Sequence, residues 1–301
     1  MRDGHEVTLI DSLIPQYGGN LFNIEDLTEK VVVNISDLRD PYSIRELLRG
    51  KDVIFNLAGQ TSHADSMTDP YTDLDINSRS QLCLLEAVRD ICPEAKVVYA
   101  STRQIYGKPK YLPVDEDHPI RPVDINGVNK NAGEQFHSLY HDIYGIRTCS
   151  LRLTNTFGPG MRIKDARQTF LGIWLRLLIE KKPIRIFGTG KQLRDFNYVD
   201  DVVEAMLSAL EAPSCWGKAL NLGGHEVVSL NQLAQKLVSL HPGSELELVE
   251  FPPGRKAIDI GDYYGDFNNA KSSLNWCPRV SLDDGLRRSI EYYQQNLQHY
   301  I

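Results

Sequence analysis

The chain has 301 residues, 42% of them apolar and 24% charged, the balance of a soluble globular protein with one large domain or two interlocked ones. A net charge of −7 argues against a nucleic-acid-binding face, and no apolar run approaches the ~18 residues a membrane span needs. Cys83, Cys92, Cys149, Cys215 and Cys277 form no C-x-x-C pair. They predict neither a disulfide framework nor a thiolate zinc site, and suit small core positions in a reducing cytoplasm.

In chain order, β-branched runs predict strands at 6–10, 30–33, 53–57, 96–100 and 147–153. Helical spacing of apolar residues fills the intervals at 43–49, 78–91 and 129–144. The run VIFNLA at 53–58 has apolar residues at successive positions, the pattern of a parallel strand buried on both faces. Such alternation predicts a doubly wound parallel α/β sheet. Beyond about residue 156 the turns FGPGM, FGTGK and FPPGRK separate longer helices at 168–181, 200–211, 231–240 and 282–296. This reads as a smaller α/β domain over the C-terminal edge of the sheet, where ligands of such folds bind. The expected division is 1–155, with 196–225 returning to it, and 156–301.

Asp11 ends the predicted strand at 6–10. Alone it is an ordinary loop acid. In dinucleotide-binding folds such an acid accepts hydrogen bonds from the adenosine ribose and follows a glycine-rich phosphate turn by about 20 residues. Only ten residues precede it here, with Gly4 their one glycine. A first strand and glycine-rich loop are therefore expected to be missing from this chain. The strands at 6–10 and 53–57 would then stand two strand spacings, about 9–10 Å, apart, or re-pair. A chain that is one part of a longer reading frame would explain this equally well.

Five further motifs follow: NLAGQTSH (56–63), STRQIYGK (101–108), NGVNKNAGE (126–134), LRLTNTFGPGM (151–161) and LRDFNYVDDVV (193–203). In this order and spacing the chain resembles the extended short-chain dehydrogenase/reductase family, in particular its NAD-dependent nucleotide-sugar epimerases and dehydratases. The resemblance implies a Rossmann-like sheet, NAD as cofactor and a nucleotide-sugar as substrate. It places Asp11 at the adenosine ribose, Asp37 at the adenine, and Leu57, Ala58 and Gly59 along the pyrophosphate and nicotinamide ribose. It gives Thr102 a hydrogen bond to the reacting sugar hydroxyl, and Lys130 the nicotinamide ribose and the catalytic base. Asn155, Arg194 and Arg255 fall where the nucleotide diphosphate is held, a task suited to guanidinium groups. Each has a plain reading beside it: Thr102 as a satisfied strand-end hydroxyl, Asn155 as a turn cap, Arg255 as a solvated charge.

The sequence departs from the family at one position. The tyrosine expected four residues before Lys130 is Asn126, and an amide cannot serve as general base. Slow turnover, or a base from elsewhere, is expected, with Asn126→Tyr as its test. The family's dehydratases carry an Asp-Glu pair directly after the threonine, and its sugar decarboxylases a Glu at the second place. Arg103 and Gln104 stand there instead, so epimerisation through a keto intermediate is favoured. The alternative is a sugar-nucleotide-binding or regulatory protein without chemistry.

Glu134, His137 and His141 share a helix face, but no further ligand cluster accompanies them, so no metal site is expected and the face reads as solvated or interfacial. The helices at 78–91 and 129–144 resemble those with which many family members dimerise. Leu82, Leu85, Phe136, Leu139 and Tyr140 would supply the contacts of a homodimer. Weak NAD binding is expected of this chain.

Overall fold

A computed structural model describes residues 4–167 and 169–301. In chain order the elements begin with β1 (Thr8–Asp11), β2 (Val32–Ile35), α1 (Pro41–Leu47), β3 (Val53–Asn56), α2 (His63–Thr68), α3 (Pro70–Leu74) and α4 (Ser80–Ile91). They continue with β4 (Lys96–Thr102), α5 (Ile125–Tyr144), β5 (Arg147–Leu153), β6 (Asn155–Phe157), α6 (Phe170–Ile179), β7 (Ile184–Phe187), β8 (Leu193–Tyr198) and α7 (Val199–Leu210). The last are β9 (Ala219–Leu222), β10 (Val227–Ser229), α8 (Leu230–Leu240), β11 (Leu246–Val249), α9 (Pro253–Ala257), α10 (Asn268–Leu274) and α11 (Leu282–Asn296). The predicted strand at 147–153 and helix at 282–296 match residue for residue, and the other long elements shift by a few positions.

The central sheet runs β3-β4-β5-β9, all parallel, with Val97 opposite Thr148 and Val98 opposite Cys149. Alternate side chains of β4 enter different cores. Val97 packs with Leu84, Leu85 and Val88 of α4 and Tyr140 of α5, whereas Val98 packs with Val202, Ala205 and Met206 of α7. Burial on both faces is what suits this sheet to apolar β-branched residues.

β1 and β2 pair in parallel with each other but with neither edge of the central sheet. The doubly wound architecture is thus present in two pieces. Lys51 links them by donating to Thr8 Oγ1 at 3.1 Å, and Ile10 and Ile54 border the same core. The split overturns the expectation that 53–58 is buried on both faces. Val53 is 37% exposed, Phe55 39% and Leu57 58%. β3 is hydrogen-bonded to β4 alone, so its second edge and part of each face lack the cover a neighbouring strand would give.

The C-terminal lobe packs α6, α8 and α11 with β7, β8 and β6 around Phe157, Trp174, Leu175, Phe196, Leu286 and Tyr293. β8 lies between antiparallel β10 and parallel β6, and β11 pairs with β7. A short turn at Leu21–Leu27 fastens the region after β1 to the end of the chain. Phe22 stacks on His299 at 3.8 Å, and Asn20 donates to the His299 carbonyl at 2.9 Å.

Candidate active site

The site forms where β4 and β5 end and α5 begins. Asp124 caps α5 by accepting from the Gly127 amide at 2.7 Å, and Gln104 donates to its other oxygen at 2.8 Å. This fixes the first turn of α5, with Asn126, Asn129 and Lys130 buried against α2 and α3.

Asn126 is 2% exposed. Its Nδ2 donates to the Gln60 carbonyl at 2.7 Å and to Asp73 Oδ2 at 3.1 Å. Asp73, fully buried, also accepts from Asn77 Nδ2 at 3.1 Å and from Asn129 Nδ2 at 2.8 Å. Three asparagine amides thus converge on one carboxyl group. Asn77 sits in a π-helical turn, Asp75–Arg79, which joins α3 to α4. Such local widening of a helix often marks functional sites. With both amide hydrogens donated, Asn126 offers the site only its carbonyl oxygen.

Lys130 lies one turn further along α5. Its Nζ donates to the Ala100 carbonyl at 2.8 Å and stands 4.7 Å from the Tyr99 ring centroid. Burial pushes the ammonium down to about 8, opposed by the charges of Asp73 and Glu134. No carboxylate among the described residues lies within ion-pair distance of it. Gly59 passes close by: a Cβ there would stand 2.9 Å from Asn77 Oδ1 and 3.1 Å from Lys130 Nζ. Thr102, at the end of β4, accepts from the Gln104 amide at 3.2 Å, so its own hydroxyl proton remains available.

Beyond Thr102 lies a cationic cluster. Arg103 packs on the Tyr263 ring at 4.9 Å, and its Nη2 donates to Asn155 Oδ1 at 3.0 Å. Asn155 Nδ2 in turn donates to the Asp195 carbonyl at 2.9 Å. Arg194 is buried, donates to the Leu193 and Gly261 carbonyls, and lies 3.6 Å from Asp259. Burial, and then Arg103, lower it to about 10. Asp195 accepts from the Thr154 hydroxyl and from the Gly224 and Gly265 amides; burial nonetheless raises its pKa.

The fold therefore gathers Gly59, Thr102, Asn126 and Lys130 at one end, and Asn155 with Arg194 at the other. Arg255 is exposed and lies over the Phe187 ring at 5.4 Å, with no bond to this cluster. Asp11 ends β1 in an exposed position and accepts from the Leu13 amide at 2.6 Å. Asp37 is tied to Arg39 through bonds of 2.9 and 2.6 Å that hold its carboxyl below the usual range. Leu57 and Ala58 are exposed.

A nicotinamide cofactor meets a mixed fit. Lys130 and the backbone at Gly59 suit its nicotinamide ribose, since no side chain would stand between them. Near the adenosine, Asp11 is exposed and holds the Leu13 amide through one oxygen, and the ten residues before it carry one glycine, Gly4.

Two expectations for α5 are corrected. Glu134 and His137 are buried, not solvated: Glu134 receives Arg152 in a paired contact at 2.6 Å and the Ser101 hydroxyl at 2.6 Å, and His137 stacks on Tyr99 at 4.3 Å. Small residues on the sheet side let α5 approach closely, as at Gly133, where a Cβ would meet Tyr99 Oη at 2.8 Å. Burial drives the His137 imidazole down to about 4, so it is neutral. Leu85 and Tyr140 are likewise core residues, leaving Leu82 and Leu139 as exposed members of the suggested dimer face.

Sequence reasoning did not find Asp73, Asn77 or Asn129. The run DPYTDLDIN at 69–77 carries three acids and gives no hint which one points inward.

The profile of the NAD dependent epimerase/dehydratase family matches residues 1–223. A putative UDP-glucose 4-epimerase of Methanocaldococcus jannaschii is 33% identical over 300 residues, covering 98% of this chain and 93% of that one. The solved UDP-glucose 4-epimerase of Thermotoga maritima, with UDP-glucose, has a TM-score of 0.88 at 27% identity, covering 98% and 93% of the two chains. The UDP-glucuronic acid 4-epimerase of Bacillus cereus, in complex with UDP-glucuronic acid and NAD, has a TM-score of 0.87 at 28% identity, covering 98% and 92%. The chain is thus a member of the NAD-dependent epimerase/dehydratase family, with the extended short-chain dehydrogenase/reductase fold.

Proposed function

We propose that the protein epimerises a nucleotide-activated sugar through a keto intermediate, and that Lys130 takes the hydroxyl proton where relatives of this fold use a tyrosine. One observation carries this reading: the Lys130 ammonium is buried against β4, two residues before Thr102, with the Ala100 carbonyl and the Tyr99 ring as its partners and no carboxylate in ion-pair distance among the described residues, and its pKa is lowered to about 8. A buried lysine tuned to this range holds a useful neutral fraction at neutral pH and can act as a general base.

In this reading Thr102 orients the sugar hydroxyl, the Asn126 carbonyl oxygen accepts a second hydrogen bond, and Asn155 and Arg194 hold the diphosphate. Bound NAD supplies a reversible hydride acceptor. Arg103 and Gln104 provide no acid pair for dehydration, which favours epimerisation. The substrates of the relatives support a UDP-sugar. Five free cysteines fit a cytoplasmic location.

The test is a pH–rate profile with a UDP-sugar and saturating NAD. Activity should rise with an apparent pKa near 8, and Lys130→Arg should lose about 100-fold or more, the ordinary contribution of a general base. A flat profile between pH 6 and 9, with an active Lys130→Arg variant, removes Lys130 from this role. Asn126→Tyr alone should not accelerate the reaction: its phenol would stand beside Asp73, whose negative charge opposes phenolate formation.

The second reading, a sugar-nucleotide-binding protein without turnover, draws on the locked Asn126 amide. It predicts tight UDP-sugar binding and no epimerised product. A homodimer through α4 and α5 is supported by exposed Leu82, Leu139, Ile143 and Tyr144. Light scattering that returns a monomer at micromolar concentration would remove it.

A further inference from the structure

We infer that Arg103 selects nucleotide-sugars whose sugar ring carries a carboxylate, by pairing that carboxylate with its guanidinium beside Thr102. The inference rests on the nucleotide-sugar reading above. It deepens that reading by naming the class of sugar.

The argument starts from unbalanced charge. The buried Nη1 of Arg103 has no hydrogen-bond partner, and no carboxylate among the described residues lies within ion-pair distance of this guanidinium. Its protein contacts are neutral: the Asn155 amide oxygen on Nη2 and the face of Tyr263. A half-buried guanidinium with a buried, unpaired N–H group and no counter-ion is costly, and a ligand anion that supplies one recovers that cost. Burial lowers the pKa of Arg103, with the nearest negative charges, Asp195, Asp259 and Asp124, acting only at longer range.

The acids around it are already engaged. Asp195 is held by Thr154 and two backbone amides, Asp259 faces Arg194, and Asp124 caps α5 while receiving Gln104. Arg194, the buried cation of the cluster, has Asp259 and two carbonyls for partners. Of the two guanidinium groups, Arg103 is the one whose charge the protein leaves unanswered.

Position decides which anion answers it. Arg103 follows Thr102 directly, so the two Cα atoms are about 3.8 Å apart. If Thr102 meets the reacting ring hydroxyl, Arg103 borders the same sugar ring. The Tyr263 hydroxyl also lacks a protein hydrogen-bond partner among the described residues and could donate to the same carboxylate. A planar guanidinium with free N–H groups suits a carboxylate, and charge-assisted bonds of this kind are strong enough to set specificity.

The experiment is calorimetry on the chain as it stands with three probes: UDP, UDP-glucose and UDP-glucuronate. UDP-glucuronate should bind at least about 10-fold tighter than UDP-glucose, the scale of one charge-assisted hydrogen bond. Arg103→Gln should abolish that preference and leave the UDP affinity within about threefold. Equal binding of the two sugars by the unaltered protein overturns the inference without any variant. So does a loss of UDP affinity in Arg103→Gln that matches the loss for UDP-glucuronate, since the guanidinium then serves the diphosphate. Failure of all three probes to bind overturns the nucleotide-sugar reading itself, and this inference with it. If Arg103→Gln melts early, Arg103→Met provides the same comparison, and the contrast between the two sugars in the unaltered protein remains decisive.

Discussion

The end of β4 and the free edge of β3 belong to one sheet but are built in opposite ways. At the first, polar groups that water would ordinarily satisfy are buried and satisfied by one another: Asp73 by three amides, Glu134 by Arg152 and Ser101, Asn126 by Gln60 and Asp73. At the second, apolar side chains that would ordinarily be buried face solvent, as Phe55 and Leu57 do. The contrast teaches that the half of the site proposed to handle the sugar is preorganised within this chain, whereas the region expected to meet the adenosine half of a dinucleotide rests on a separate two-stranded sheet.

The largest expected effect concerns that second region. NAD should bind this chain with millimolar rather than micromolar affinity, a difference of about 4 kcal/mol, because the edge of β3 away from β4 has no strand partner among the described residues and the β1–β2 pair stands apart from it. Micromolar binding by calorimetry would show that the open edge is no handicap. Next, Asp73→Ala should cost about 3–5 kcal/mol in urea unfolding, since three buried amides lose their acceptor at once. Asp73→Asn, which keeps the shape, should cost less. A loss under about 1 kcal/mol for Asp73→Ala would mean the network is not the tight structure described.

The Lys130 ammonium allows a measurement independent of turnover. Its folded pKa of about 8 lies below the ordinary lysine value of 10.5, so between those values the native state releases a proton that the unfolded chain keeps. Stability should therefore rise with pH across that window by about 3 kcal/mol more in the unaltered protein than in Lys130→Met. Parallel curves for the two proteins would contradict a buried, strained ammonium. The smallest effect belongs to the open edge: Phe55→Thr, at a half-exposed position with strand propensity retained, should change stability by about 1 kcal/mol or less. A loss above about 2 kcal/mol would show that Phe55 contributes to a core.

Much of the fold was legible because periodicity reports burial faithfully where an element has its neighbours. β5 and α11 have theirs, and their limits follow from the pattern alone. The run at 53–58 carries the same signal, yet a side chain is buried only if something covers it, and β3 has β4 on one side alone. Within the site, Thr102, Asn126 and Lys130 came to notice through the resemblance of the motifs STRQIYGK and NGVNKNAGE to those of the family. Asp73 did not, because its partners Asn126 and Asn129 lie 53 and 56 positions away, and local sequence cannot distinguish a solvated helix acid from one facing inward. Arg103 was visible as a departure from an acidic pair, but its lack of a counter-ion depends on where Asp195, Asp259 and Asp124 direct their own bonds.

The fastening of Leu21–Leu27 to the last residues makes the chain almost a closed ring. Phe22 stacks on His299, Asn20 holds its carbonyl, and Asn23 receives the Tyr300 hydroxyl. Tension applied to residue 301 would therefore be shared with the segment between β1 and β2 through this clasp. New ends cut into a distant surface loop would leave this clasp intact. Removing residues 297–301 would instead open the clasp and leave the segment between β1 and β2 held by Asn23 on the Gly160 carbonyl and by Arg162 on the Pro15 carbonyl.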